Sequence, residues 1–236
     1  MSYYNQKYKK LNINLEGFEY LNEGWNAQVC QNGKIAFKEY FPEIRHFNRM
    51  DLKVFNILRS INHQHFIKLY DAYCMIREED LIKYKEKEKD FRIDAYTSKL
   101  YQKSDINPLY EPTDYLLDNF RELEKLFEVF SRNKIHTEDV KYKNSIVTDK
   151  GIVILDPDLY RENTTFDEQK LHRLNKRKLL SFFETMLYDL CEGNTNYEAK
   201  LHNQIDPLEI TNKTSIPIEI EKVLGKVKRP IDYIKK

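Results

Sequence analysis

The stretch HTEDVKYKNSIVTDKGIVILDPD, residues 136 to 158, spaces Asp139, Asn144 and Asp156 around two short apolar runs. Carboxylate and amide oxygens are hard ligands of the kind Mg²⁺ takes, usually with phosphate oxygens completing its shell. The runs SIVT and GIVIL read as a hairpin with Gly151 in its turn. A hairpin returns its ends side by side, so Asn144 and Asp156 are expected to face one cation. Asp139, just before the hairpin, is placed to accept a proton from an attacking hydroxyl. Lys141 is placed to neutralise a phosphoryl oxygen. Asp158 adds a carboxylate suited either to a second metal or to capping a turn. Turn and capping roles are the ordinary reading of each such residue alone; their combination around one hairpin favours chemistry.

The elements that must position these residues differ between the two halves of the chain. In the first, GFEYLNEG and AQVCQNGKIAFKEY read as strands, with Asn32-Gly33 as a hairpin signal. MDLKVFNILRSI carries apolar residues at helical spacing. FIKLYDAYCMI and FRIDAYTSKLY read as two more strands, joined through the charged run Lys83 to Asp90, taken as a solvated turn. In the second half, Leu116, Phe120, Leu123, Phe127 and Phe130 form one helical stripe and Leu179, Phe183, Met186 and Leu190 another. Pro112 and Thr113 supply a helix start. The stripes are core faces. A joint is expected near residues 96–112, giving two lobes with a ligand cleft between them.

Composition narrows the function. The chain has 236 residues, 41% hydrophobic and 33% charged, with a formal net charge of +1. No overall field favours nucleic acid or an anionic membrane, and the basic tail GKVKRPIDYIKK has no aromatic platform beside it. The three cysteines, Cys30, Cys74 and Cys191, form neither metal-ligand spacing nor a disulfide framework, so a reducing compartment is expected. No secretory leader or membrane span is read in the sequence, and the expected location is the cytoplasm. His63 and His65 lack a third ligand nearby and are read as turn or packing residues; His136 is read as structural.

In their order and spacing these motifs resemble the protein kinase superfamily. IAFK is similar to the strand motif V-A-I-K, LRSINHQHFIKLYDAY to the end of the regulatory helix and the strand after it, and DVKYKN to D-L-x-x-x-N of the catalytic loop. ILDPD stands where the family has D-F-G. The resemblance covers roughly residues 18 to 160. It implies an α+β, two-lobed kinase-like fold: a small antiparallel-sheet lobe with one helix, residues 1–100, and a reduced helical lobe, residues 101–236. It implies ATP and Mg²⁺ as cofactors. Lys38 becomes the phosphate-binding lysine, with Gly24, Val29 and Ala36 around the nucleotide. Asp139 becomes the catalytic base, Lys141 a phosphate contact, and Asn144, Asp156 and Asp158 the metal-facing residues.

The sequence also departs from the family. Asn22 and Ala27 replace glycines that flank Gly24, and Trp25 lies near the tip of that loop, to cover nucleotide or to pack. Val54 falls where the helix Glu partner of Lys38 belongs. Asp51, three residues earlier, is the expected substitute, with Glu43 as the next acid to consider. Glu138 replaces the arginine of H-R-D, Pro157 replaces the aromatic residue of D-F-G, and no A-P-E motif follows. The implied activity is phosphoryl transfer from Mg-ATP to a hydroxyl, foremost Ser or Thr of a protein, in a compact kinase of bacterial or phage type. The alternatives are a pseudokinase that binds nucleotide or a partner, and a small-molecule kinase similar to aminoglycoside or choline phosphotransferases.

Overall fold

The structure, a computed structural model, describes residues 16–41, 49–73, 92–108, 111–190, 203–205 and 208–226. The run Lys83 to Asp90, Glu43, Cys74 and Cys191 lie outside the described residues. The protein is α+β and divides into two compact units. Met1–Asn62 with Ile67–Tyr101 makes the first, and His63–Phe66 with Gln102–Lys236 the second.

The first unit is built on a five-stranded antiparallel sheet. Its strands are β1 (Glu19–Glu23), β2 (Ala27–Gln31), β3 (Ile35–Tyr40), β4 (Leu69–Tyr73) and β5 (Ala95–Lys99), in the spatial order β1-β2-β3-β5-β4. Gly33, at φ 74°, turns β2 into β3, a conformation that a side chain disfavours. Alternation of side chains along β3 sorts its residues by face. Phe37 meets the rings of Phe18 and Tyr73 on one side. Ala36, Lys38 and Tyr40 share the other face. There Tyr40 packs on Tyr96, and Tyr96 on Phe55 of helix α1 (Leu52–Ser60).

The second unit is organised by two long helices, α2 (Thr113–Arg132) and α3 (Glu168–Leu190). The apolar stripe of α2 is buried, and Phe120 contacts Phe182 and Phe183 of α3 at centroid distances of 6.1 and 5.5 Å. Of the second stripe, Leu179, Phe183 and Met186 are fully buried. Helix α4 (Ile216–Lys226) is tied in by a buried cation. Lys176 of α3 lies 3.1 Å from Glu124 of α2 and donates to the Asn212 and Thr214 carbonyls, while Glu124 accepts the Ile216 N–H. A buried charge is tolerated only with such a full set of partners. Two small antiparallel pairs complete the unit: β6 (Ile135–His136) with β9 (Arg161–Glu162), and β7 (Ser145–Thr148) with β8 (Gly151–Ile154).

Burial holds the imidazoles of His63, His65, His136 and His172 below the ordinary histidine range. Protons then bind the unfolded chain more readily than the folded one, so stability is lost as pH falls through about 6.5. The melting temperature should decline from pH 7.5 to 5.5, a window above most carboxylate titration. A flat thermal-denaturation profile across that window would contradict the assignment.

Candidate functional site

Hairpin β7–β8 has four residues in each strand, paired from Ser145↔Ile154 to Thr148↔Gly151. Two short strands are marginal by themselves, and this pair is held from outside. The Ile152 N–H donates to Asn119 Oδ1 of α2 at 2.8 Å, and the Ile152 carbonyl accepts from His65 Nδ1 at 2.6 Å. A carbonyl can only accept, so the His65 ring carries a proton on Nδ1. The Ile154 N–H donates to the His65 carbonyl at 3.0 Å. Asn119 is itself oriented, its Nδ2 donating to the Tyr115 carbonyl at 2.9 Å.

The chain before the hairpin is held equally firmly. Thr137 is buried, and both its N–H and its hydroxyl donate to Asn175 Oδ1 at 3.0 Å. The Asn175 amide in turn donates to Ser131 Oγ and to the Ile135 carbonyl, each at 2.9 Å. Further along, the Tyr142 N–H donates to Thr185 Oγ1 at 3.0 Å. Between these two anchors Asp139 adopts φ 51°, the left-handed region that few non-glycine residues occupy.

That conformation gathers the predicted residues of this unit. Asn144 Nδ2 donates to the Asp139 carbonyl at 3.0 Å and to Asp139 Oδ2 at 3.2 Å, and Lys141 Nζ pairs with Asp139 Oδ1. The Leu155 N–H donates to the Asn144 carbonyl at 2.9 Å, extending the hairpin by one pair and bringing Asp156 to the same end. Asp156 Oδ1 receives the Asp158 N–H at 3.4 Å. Arg161 closes the turn, donating to the carbonyls of Asp158 and Tyr160 at 2.7 and 2.8 Å. Asp158 is buried, and its backbone serves this turn. The Lys141–Asp139 pair is partly exposed, so solvent screening makes it a matter of charge placement more than of stability.

In the first unit, Val29 is paired with Lys38 across β2 and β3, and Ala36 precedes Lys38 by two residues. All three therefore share one sheet face. The Lys38 ammonium stands 5.9 and 6.0 Å from the ring centroids of Tyr40 and Tyr96. Gly24 lies in the β1–β2 turn, where an added Cβ would meet nothing nearer than 3.9 Å; its own packing does not require glycine. Trp25 is 89% exposed and does not pack into the core. Val54 is buried in α1. Asp51 differs from its sequence assignment to a helix face. It is the N-cap of α1, its Oδ1 accepting from the Lys53 and Val54 N–H groups at 2.8 and 3.4 Å. A residue immediately before a helix has extended backbone, and its carboxylate serves the open N–H groups of the first turn.

Asn144 donates from Nδ2 to Asp139, so its Oδ1 is the acceptor atom that a hard cation would use. Among the described residues no three His, Cys, Asp or Glu side chains form a metal-holding group. Mg²⁺ commonly needs only one or two carboxylates when a ligand supplies phosphate oxygens. An open cavity of about 580 Å³ carries Asp105, Glu111 and Asp149. Through Asp149 it meets the turn end of the hairpin, opposite the Asn144–Asp156 end.

Sequence reading did not find Asn119, Asn175 or Tyr160. Asn119 had a signal, a polar residue on the apolar stripe of α2. No local pattern marks the other two. No protein-family model matches the chain, and no curated protein matches it.

Two substitutions test this arrangement. Gly151 sits at φ 110°, and a Cβ there would lie 2.3 Å from Asn119 Oδ1 and 2.9 Å from His65 Cε1, the two groups that hold Ile152. Gly151→Ala should cost roughly 2–4 kcal/mol by strain and a displaced buried hydrogen bond, read by chemical denaturation. A loss under about 0.5 kcal/mol would contradict the packing described. Asp139→Asn, whose side chain tolerates the left-handed region, should be nearly neutral in the same measurement, whereas Asp139→Ala should lose about 1–2 kcal/mol.

Proposed function

We propose that this chain is a protein-kinase-like phosphotransferase, with the two-lobed arrangement of that superfamily, that moves a phosphoryl group from Mg-ATP to a hydroxyl, foremost Ser or Thr of a protein. The observation that carries the reading is the gathering of Asp139, Lys141 and Asn144 at the hairpin end where Asp156 also stands. In this reading Asn144 Oδ1 and the Asp156 carboxylate hold Mg²⁺. The ion, when bound, neutralises charge on the phosphate oxygens. Asp139 orients the acceptor hydroxyl and takes its proton, its carboxylate held in direction by Asn144 and Lys141. Lys141, already paired with Asp139, supplies positive charge beside the transferring group. The assignment of Lys38 to nucleotide phosphates rests on the IAFK match and on its company with Val29 and Ala36 on one sheet face.

One observation favours a second reading, a nucleotide-binding pseudokinase: Asn22 and Ala27 stand where the family has the glycines that flank Gly24. A single experiment separates the two. Wild type and Asp139→Asn are incubated with labelled ATP and Mg²⁺, with copurified kinase excluded by mass spectrometry. An enzyme loses roughly 10²–10⁴-fold in transfer on Asp139→Asn while ATP still raises the melting temperature. Equal residual transfer by the two proteins would leave only the binding role, and the absence of any thermal shift with Mg-ATP or Mn-ATP would remove both readings.

A further inference from the structure

Both nitrogens of the buried His65 ring are engaged. Nδ1 donates to the Ile152 carbonyl at 2.6 Å, so the lone pair of the neutral ring stands on Nε2. Gln64 Nε2 lies 3.1 Å from that atom and donates to it. His65 is 3% exposed, and its ring sits against the start of β8, where a Cβ on Gly151 would come within 2.9 Å of Cε1. A second proton has one place to go, Nε2. There the new N–H meets the Gln64 amide, donor facing donor. An amide turned to offer its oxygen would still leave an imidazolium buried, and a charge held away from water is costly.

The groups around the ring leave that cost standing. His63, on the same segment, has its ring centroid 5.7 Å away, and its Nδ1 accepts the His65 N–H at 3.3 Å. Helix α2 brings Glu122 and Lys125, which pair with each other at 2.6 Å. The hairpin turn carries Asp149 and Lys150, both exposed, and β8 has no titratable residue. Burial, against the opposing pull of the Ile152 carbonyl and Glu122, holds the His65 pKa below the ordinary histidine range.

We propose that His65 is a proton-operated latch on the β7–β8 hairpin. Neutral, it holds the Ile152 carbonyl. Protonated, it leaves for water and lets the hairpin open locally, which releases the Asn144–Leu155 pair and the Asp156 end. The hairpin is the element suited to this, because strands of four residues are marginal without outside support, and His65 is one of the two side chains that hold Ile152. The inference goes beyond the proposed activity and does not depend on it. In the open form the ring binds a proton at about pH 6.5, and in the closed form only at lower pH. The closed form is therefore fully favoured above about pH 6.5 and loses ground as pH falls below it.

The test is native-state hydrogen exchange of the full chain by nuclear magnetic resonance, corrected for the intrinsic pH dependence of amide exchange. From about pH 6.5 to 5.5 the protection of the Ile152 and Ile154 amides should fall by up to about tenfold, the slope of one proton. Leu179 and Phe183 in α3 should stay better protected than both throughout. His65→Asn keeps a donor for the Ile152 carbonyl and cannot titrate, so the fall should vanish. Gln64→Glu, at an exposed position, gives Nε2 a carboxylate acceptor and should also abolish it; this variant decides the matter if His65→Asn does not fold. Protection that is flat with pH in wild type overturns the proposal. So does an unchanged fall in either variant, or equal exchange of the hairpin and α3 amides, which would mean that the hairpin opens only when the whole unit unfolds.

Discussion

The candidate site depends on how Ile152 is held. Its N–H and its carbonyl are each taken by a side chain from elsewhere in the sequence, Asn119 and His65. The hairpin is too short to fix itself, so these two bonds, with the second contact from the His65 carbonyl to Ile154, set where both its ends lie. Gly151 is the residue that lets them form, because any Cβ would occupy the space of the Asn119 amide. The Asn144–Leu155 pair, and hence the position of Asp156, follows from that placement. Both groups lie in the buried interior, where an unmade hydrogen bond costs more than a made one contributes. Loss of either side chain therefore leaves a buried backbone group unsatisfied.

Asn175 does for the Asp139 loop what Asn119 does for the hairpin. Its amide connects α3 to Ser131 at the end of α2, to Ile135 in β6 and to Thr137 in the loop. Thr185 repeats the arrangement further along the same helix, through Tyr142. Residue 139 is thus bracketed by two anchors on a single rigid helix. That bracketing explains how a non-glycine residue keeps a left-handed backbone, a conformation that persists only where its surroundings over-determine it.

Charge at the candidate site is held by near neighbours: Lys141 is paired with Asp139, and Asp156 receives the Asp158 N–H. The Asp158 and Tyr160 carbonyls are engaged by Arg161. In the first unit the rings of Tyr40 and Tyr96 stand near the Lys38 ammonium on its sheet face, where attraction to ring faces is modest.

Much of the fold was legible in the sequence because its signals are local. The period-two strands around Asn32-Gly33, the helical stripe from Leu116 to Phe130 and the Gly151 turn each lie within a few residues of one another, and the structure contains them. The same holds for D-x-K-x-x-N, whose Asp139, Lys141 and Asn144 meet within one short loop. Asp51 shows the limit of such reading. Its place before Leu52 is a cap signal, yet the kinase resemblance draws it onto the helix face. What tertiary structure alone decided are contacts between distant residues: Asn119 with Ile152, His65 with Ile152, Asn175 with Thr137, and Tyr160 between Phe66 and Phe130. Those partners lie far apart along the chain, and no periodicity encodes them. Sequence determines which groups are available and how the chain curls locally; only the packing of α2 and α3 decides which buried amide meets which backbone group, because that choice is made by closing space around unsatisfied polar atoms.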